Sequence, residues 1–436
     1  MTSNSKKETD LGKLYELLLF HECFLSRSLP LIASENVTSM AVRAVMLSDV
    51  QHRYAEGRPG ERVYSGCEYV DRVELEAVRL AKKLFGAEHV NVQPTSGSVA
   101  NLSVYFCLTR PGDTIASLSV RDGGHITMNR VGLAGKLGLK VLNLPFDREE
   151  MNVDVDGSLK LILREKPKLV MLGASVILFP HPVREIAEVC EEVGANLVYD
   201  ASHVLGLIAG KQFQNPLKEG ALVVSASTHK TFPGPQHGLI MCRAELAEDV
   251  DQAVFPGTVS NHHLHCVAAL AVACMEMLEF GESYAKQIVK NAKTLAESLA
   301  SEGLSVVGER AGFTETHQVL IDVLRDGTGG LEAEKKLERA GILVNRNLLP
   351  WDGDRGRTFR DPSGIRIGVQ EVTRIGMREE EMKALAEIMW NAVNKKKSEE
   401  ELRRDVIELK KEFTSVKYAF DESEIYAIVE SFLSEL

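Results

Sequence analysis

Lys230 closes the polar run Ser225-Ala226-Ser227-Thr228-His229-Lys230, thirty residues after Asp200 ends the apolar stretch Asn196-Leu197-Val198-Tyr199-Asp200. An amine at the mouth of a parallel sheet, walled by apolar groups and close to another cation, has a lowered pKa and attacks an aldehyde. That is the requirement of pyridoxal-phosphate chemistry, in which Asp200 at a neighbouring strand end would pair with the ring nitrogen. Thr95-Ser96-Gly97-Ser98 follows an apolar run and opens a helix, so its hydroxyls and backbone N–H groups form an anion site suited to a phosphate. Gly123-Gly124-His125 can lay an imidazole on an aromatic ring. Each feature also has a plainer reading: a solvated loop lysine, a capped helix, a turn with an exposed histidine.

Positioning such groups takes a sheet. Apolar runs at Val90 to Gln93, Thr114 to Leu118, Lys168 to Leu172, Asn196 to Tyr199, Ala221 to Val224 and Leu239 to Cys242 alternate with helical patterns, which predicts an α/β fold with a mainly parallel sheet. Ser175, Asp200 and Lys230 then fall at the carboxyl ends of strands, where such sheets bind ligands. Residues 11–27 carry helical spacing before Pro30. Tyr284 to Leu299 predicts a long helix, followed by short runs at Leu304 to Val307, Gln318 to Val323, Ile342 to Val344 and Gly364 to Gly368 that suggest a smaller α+β unit. Residues 378–395 and 397–433 predict charged, solvated helices. The divisions expected are an N-terminal arm (1–40), a large cofactor domain (41–284), a small domain (285–395) and a helical extension (396–436).

The 436 residues allow two domains, and 44% hydrophobic with 26% charged residues is ordinary globular composition. A net charge of -11 without a basic block argues against nucleic acid. The seven cysteines are scattered without a Cys-x-x-Cys pair, as reduced thiols in a cytoplasmic protein would be. The start of the chain is polar, and no apolar run approaches the roughly 20 residues of a membrane span.

The chain also carries Leu31-Ile32-Ala33-Ser34-Glu35-Asn36, Tyr54-Ala55-Glu56-Gly57-Arg58-Pro59-Gly60, Tyr64-Ser65-Gly66-Cys67-Glu68-Tyr69, Asn91-Val92-Gln93-Pro94 with Ser96-Gly97-Ser98, Gly123-Gly124-His125 and Thr228-His229-Lys230-Thr231. Together these segments resemble the serine hydroxymethyltransferase family, in its archaeal type. The resemblance covers about residues 12–395, in family order and spacing. It implies a fold-type I pyridoxal-phosphate transferase whose large domain holds a mainly parallel seven-stranded sheet, with a smaller C-terminal α+β domain. It also implies a homodimer with shared active sites.

By the same resemblance Lys230 carries pyridoxal 5'-phosphate as an aldimine, with His229 beside it. Asp200 partners the ring nitrogen and His203 lies near the phenolic oxygen. His125 stacks on the ring, Ser96, Gly97 and Ser98 hold the phosphate, and Ser175 and Tyr54 complete the cofactor set, Tyr54 from across the dimer. Arg366, assisted by Ser34 and Tyr64, clamps the substrate carboxylate, a bidentate task that suits arginine. Glu56 handles a proton on the hydroxymethyl group. With Val120, Gly124, His125, Ile126 and Asn347 it forms the site of a tetrahydropterin co-substrate. The implied reaction interconverts serine and glycine in one-carbon metabolism; a pterin-independent aldolase or transaldolase of β-hydroxy amino acids such as threonine is the alternative. Glu56 could instead pair with Arg58 or Arg62.

The chain departs from the family pattern at three places. Gly234-Pro235-Gln236-His237-Gly238 lacks the usual arginine. Ser260-Asn261 replaces a glycine pair that reaches the neighbouring subunit's cofactor, and Val176-Ile177-Leu178-Phe179-Pro180 follows Ser175 where polar residues are usual. The first change removes a positive charge near the cofactor, the second leaves Ser260 and Asn261 backbone N–H groups for the cross-subunit contact, and the differences open a modified pterin, such as tetrahydromethanopterin, as the carbon carrier. The cluster His262-His263-x-His265 is not expected to bind a metal, because adjacent histidines seldom face one ion.

Overall fold

A computed structural model describes residues 9–435 of the chain. Its centre is a seven-stranded sheet: β1 (His89–Asn91), β2 (Thr114–Ser117), β3 (Lys140–Asn143), β4 (Leu169–Leu172), β5 (Asn196–Asp200), β6 (Val223–Ser227) and β7 (Gly238–Cys242), in the order β1-β7-β6-β5-β4-β2-β3. Strand β7 runs antiparallel to both neighbours and all other pairs are parallel. The apolar runs are continuous because both faces are covered. Leu169 and Met171 of β4 enter one core cluster while Val170 and Leu172 enter the other, and Ile240 and Cys242 alternate with Leu239 and Met241 in the same way. Strand β3 was not expected from the sequence; its burial is only partial, and Lys140-Val141-Leu142-Asn143 gives too short an apolar signal.

The sequence expectation of a helix from Tyr284 to Leu299 is corrected by a single helix running from Leu264 to Ser301, across the expected boundary at residue 284. Its first half is apolar on most sides because it crosses the core, packing on α2 (Glu68–Phe85). This helix, α4, is also long and apolar enough to cross a membrane, which corrects the reading that no such run exists. Most of that stretch is buried inside the fold, as a core helix would be.

Beyond α4, β8 (Gln318–Asp322), β9 (Asn345–Asn347) and β10 (Gly364–Gly368) form an antiparallel sheet with β10 central. The expected run at Leu304 to Val307 gives only a bridge from Val306 to Ile321. The N-terminal segment is threaded into this unit: Leu29–Pro30 pairs in parallel with Ile342–Leu343, and Leu31 O accepts the Gly368 N–H. A Cβ on Gly368 would lie 2.4 Å from Ala33 Cα, so only glycine allows that approach. This contact carries Ser34 to the end of the strand that bears Arg366.

The expected helix over 397–433 is two helices, α6 (Glu399–Lys410) and α7 (Glu422–Glu435), after α5 (Glu379–Val393). In the segment between them Tyr418 O accepts from Arg374 Nη1, while Arg374 Nη2 donates to Glu276 Oε2, the latter pair with no exposed surface on either side chain. In contrast, α1 (Asp10–Ser26) buries none of its residues; Leu11, Leu14, Leu17, Leu18, Leu19 and Phe20 are all exposed.

Candidate active site

The carboxyl ends of β4, β5 and β6, the N-terminus of α3 (Gly97–Leu108) and the loop at His125 enclose a cavity of about 180 Å³. Its wall brings together Ser96, Gly97, Ser98, His125, Ser175, Asp200, His203, His229 and Lys230, all expected from the sequence. It also includes Asn101, Ala174, Ser202 and Ser227, which were not. The crossing at the strand ends is tight: Gly173, at φ +91, leaves no room for a Cβ against Asp200 O.

Lys230 sits in this wall with its amine pushed down to about 8. Burial is the chief cause and Arg366 adds to it, while Asp200 opposes. About a tenth of such an amine is neutral at pH 7. Asn36 Nδ2 donates to Lys230 O at 2.6 Å and also reaches the Tyr284 hydroxyl at 3.0 Å, so the lysine backbone is tied to α4. Asp200 accepts from Asn101 Nδ2 at 2.8 Å and from the Ser202 N–H at 2.9 Å. Asn101 in turn accepts from Ser225 Oγ at 2.6 Å, which fixes the carboxylate's orientation. His125 Nδ1 accepts the Thr127 N–H, and burial lowers its pKa, so the ring faces the cavity neutral.

At the α3 end Ser96 Oγ caps the helix by accepting the Val99 N–H at 3.2 Å. A Cβ on Gly97 would lie 3.0 Å from Ser227 Cβ. Ser227 Oγ and His229 Nδ1 are buried without hydrogen-bond partners among the described residues, and burial lowers the His229 pKa to about 4. Free backbone N–H groups at a helix start, with unpartnered polar atoms aimed at the same place, suit a phosphate. The buried lysine, the carboxylate and the flat imidazole suit the ring. The donor set therefore fits pyridoxal 5'-phosphate. The alternation of Ser225 and Ser227 in an otherwise apolar strand is the sequence signal for Ser227.

Arg366 on β10 donates from Nη1 to Ser175 O at 2.6 Å and from Nε to Asn345 Oδ1 at 3.1 Å, while burial lowers its pKa to about 10. Nη2 has no hydrogen-bond partner among the described residues, which leaves an edge for a carboxylate. Gly123 O accepts the Ser175 N–H, and Gly123 shares a groove with Val176 and Leu348, so the loop of Val120 and Gly124 lies close to the strand that ends at Asn347. The Asn347 side chain itself donates to Leu348 O, and Ile126 is exposed.

Tyr54, Glu56 and Tyr64 lie outside this wall. The two tyrosine rings stand 5.2 Å apart on an exposed loop, 54% and 45% accessible. The alternative pairing of Glu56 does not form: Arg58 binds Glu248, and Arg62 binds Asp71 and Glu74. The departures take structural work. Gln236 is exposed, His237 is buried against Val92 O, and Asn261 Oδ1 accepts the Ala55 N–H, holding the Tyr54–Glu56 loop. His262 joins Glu74 while His263 and His265 stack on each other. Ile177, Leu178 and Phe179 are buried in core clusters.

The comparisons with known proteins agree with this chemistry. The serine hydroxymethyltransferase family model matches residues 14–389. A serine hydroxymethyltransferase of Archaeoglobus fulgidus is 59% identical over 97% of this chain and 96% of its own, and that of Methanopyrus kandleri 58% over 92% and 93%. The crystal structure of an L-threonine transaldolase from Pseudomonas fluorescens, in an internal aldimine state, superposes with a TM-score of 0.88 at 32% identity, covering 99% of both chains. With a lysine, carboxylate and phosphate cradle matching the motifs, and kinship along nearly its whole length, the chain belongs to the serine hydroxymethyltransferase family.

Proposed function

We propose that this chain interconverts serine and glycine, passing the hydroxymethyl carbon to or from a tetrahydropterin. The observation that carries the reading is the single cavity that joins a buried, partly neutral Lys230 to Asp200, with Arg366 anchored through Ser175 at its rim. When bound, pyridoxal phosphate supplies a carbonyl for an amine and an electron-withdrawing ring that stabilises negative charge at the substrate Cα.

The chain's own groups do the rest. Gly97 and Ser98 N–H groups, Ser227 and His229 would hold the phosphate. Asp200, fixed by Asn101 and Ser202, would partner the ring nitrogen of the bound cofactor and favour its protonated form. Lys230 binds as the neutral amine, and its raised neutral fraction is set by burial. The free Arg366 edge orients the substrate carboxylate, with Ser34 brought to the end of its strand. Glu56, without an ion-pair partner among the described residues, takes and returns the proton of the hydroxymethyl oxygen. The loop of Val120 and Gly124, with His125, Ile126 and Asn347, receives the pterin.

The placement of Tyr54, Tyr64 and Glu56 on an exposed loop supports a homodimer in which this loop completes the partner's site, and the uncovered apolar α1 supports the same assembly. We divide the molecule into an arm (1–40), a large domain (41–284), a small domain (285–395) and an extension (396–436), with α4 spanning the junction. Seven free cysteines, most of them buried, favour the cytoplasm. A transaldolase reading is kept alive by the structural neighbour of that name.

Glu56→Gln separates the two. The transferase reading expects this change to cut pterin-dependent serine cleavage by about 100-fold or more while glycine still perturbs the cofactor's absorbance. Unchanged serine cleavage in that variant would remove Glu56 from the mechanism.

A further inference from the structure

Gln318 stands at the first position of β8, in the small unit, and its amide points to His203. Its orientation follows from its partners. Ile177 N–H is an obligate donor and lies 2.9 Å from Oε1, so that atom is the oxygen. The nitrogen is then Nε2, which agrees with its other neighbour, Ser175 O, an obligate acceptor at 3.0 Å. The second N–H of Nε2 meets His203 Nδ1 at 3.0 Å. A donor there requires that Nδ1 be the bare nitrogen.

His317 does not compete for that atom. Its Nε2 lies 3.1 Å from Ala33 O, an acceptor, so its one proton is spent there, and its ring stacks on His203 at 5.6 Å. The opposite assignment, a proton on His203 Nδ1, would set N–H against N–H at Gln318. Burial and the cation of Lys230 hold His203 well below the ordinary histidine pKa, so the ring carries one proton.

We infer that Gln318 is a positioning residue that fixes His203 as the Nε2–H tautomer and turns that N–H into the Lys230 cavity as a hydrogen-bond donor. The backbone that carries the ring is held too: His203 O accepts the Thr231 hydroxyl at 2.8 Å, one residue after Lys230. An N–H there favours a ligand oxygen bearing negative charge and disfavours a protonated one. The chemical class it selects is an ionised ring hydroxyl. Because Gln318 belongs to β8 and also binds Ser175 O, which Arg366 grips, the same amide links the substrate clamp to the ring donor. The tautomer stands independently of the proposed reaction; its effect on a pyridine ring rests on that reading.

The test is long-range 15N–1H correlation on the full-length holoprotein labelled in histidine, with His203 identified by its loss in His203→Asn. The inference expects a pyridine-like Nδ1 and a pyrrole-like Nε2 in the unmodified protein. In Gln318→Glu, where a carboxylate oxygen accepts instead, the two signals should exchange, and Gln318→Leu should give a mixture. Both variants should lower kcat about tenfold with KM for serine within about twofold, since the donor acts after substrate is held. A protonated Nδ1 in the unmodified protein, or an unchanged pattern in both variants, overturns the inference. A pyridine-like Nδ1 in a protein that does not cleave serine would leave the tautomer standing and refute the reaction.

Discussion

Lys230 is where burial turns into chemistry. Its amine, lowered to about 8, should capture pyridoxal phosphate at a rate that rises with pH and levels off above about 8, because only the neutral form attacks. Stopped-flow absorbance of the cofactor-free protein across pH checks this; a rise continuing to the ordinary lysine range would contradict the burial argument. Arg366→Lys loses the planar fork and should raise KM for serine about ten- to hundredfold, seen in steady-state kinetics. Residues at this scale were legible where the types were unusual for their place: a lysine after an apolar strand, an aspartate at a strand end, Ser-Gly-Ser before a helix. Asn101, His317 and Gln318 were not, because their roles come from partners distant in sequence. Nothing in Thr316-His317-Gln318 announces that its amide meets a ring at His203.

At the scale of elements, strands buried on both faces were read correctly from unbroken apolar runs, and β3 was missed because its burial is partial. The period seen in the sequence covers only the second half of α4 because the first half, apolar on most sides, loses the helical alternation that a half-exposed helix shows. That helix carries Glu276 to Arg374, and the segment after α6 adds Tyr418 O to the same guanidinium. Arg374→Ala would leave the Glu276 charge buried and unpaired, which costs about 3–5 kcal/mol. Urea denaturation should show this loss, and Glu276→Gln in the same chain should recover part of it. Equal stability of the single variant and the unmodified protein would mean that the segment after α6 contributes little. Tyr284 stands over that arginine and holds Asn36, so the same core reaches the carbonyl of Lys230.

For the whole molecule, one chain gathers Lys230, Asp200 and the Ser96–Ser98 segment around the cavity but leaves Tyr54, Glu56 and Tyr64 outside its wall, and the leucines of α1 stand exposed elsewhere on the chain. The account expects a dimer by sedimentation, and Leu14→Glu with Leu18→Glu should shift it toward monomer with loss of turnover. A fully active monomer would contradict shared sites. The motifs made the family and the cofactor legible in the sequence. Whether loops far apart in the chain meet within one subunit or across two was not, since spacing along a chain does not say which copy supplies a side chain.

The claim that the cavity serves hydroxymethyl transfer is tested most directly by one steady-state comparison: serine-to-glycine conversion with tetrahydrofolate, with tetrahydromethanopterin and without a pterin, alongside pterin-free threonine cleavage. Serine turnover should depend on a pterin and exceed threonine cleavage by about tenfold or more with the preferred carrier. Serine turnover equal with every pterin and with none, below the rate of threonine cleavage, would contradict it.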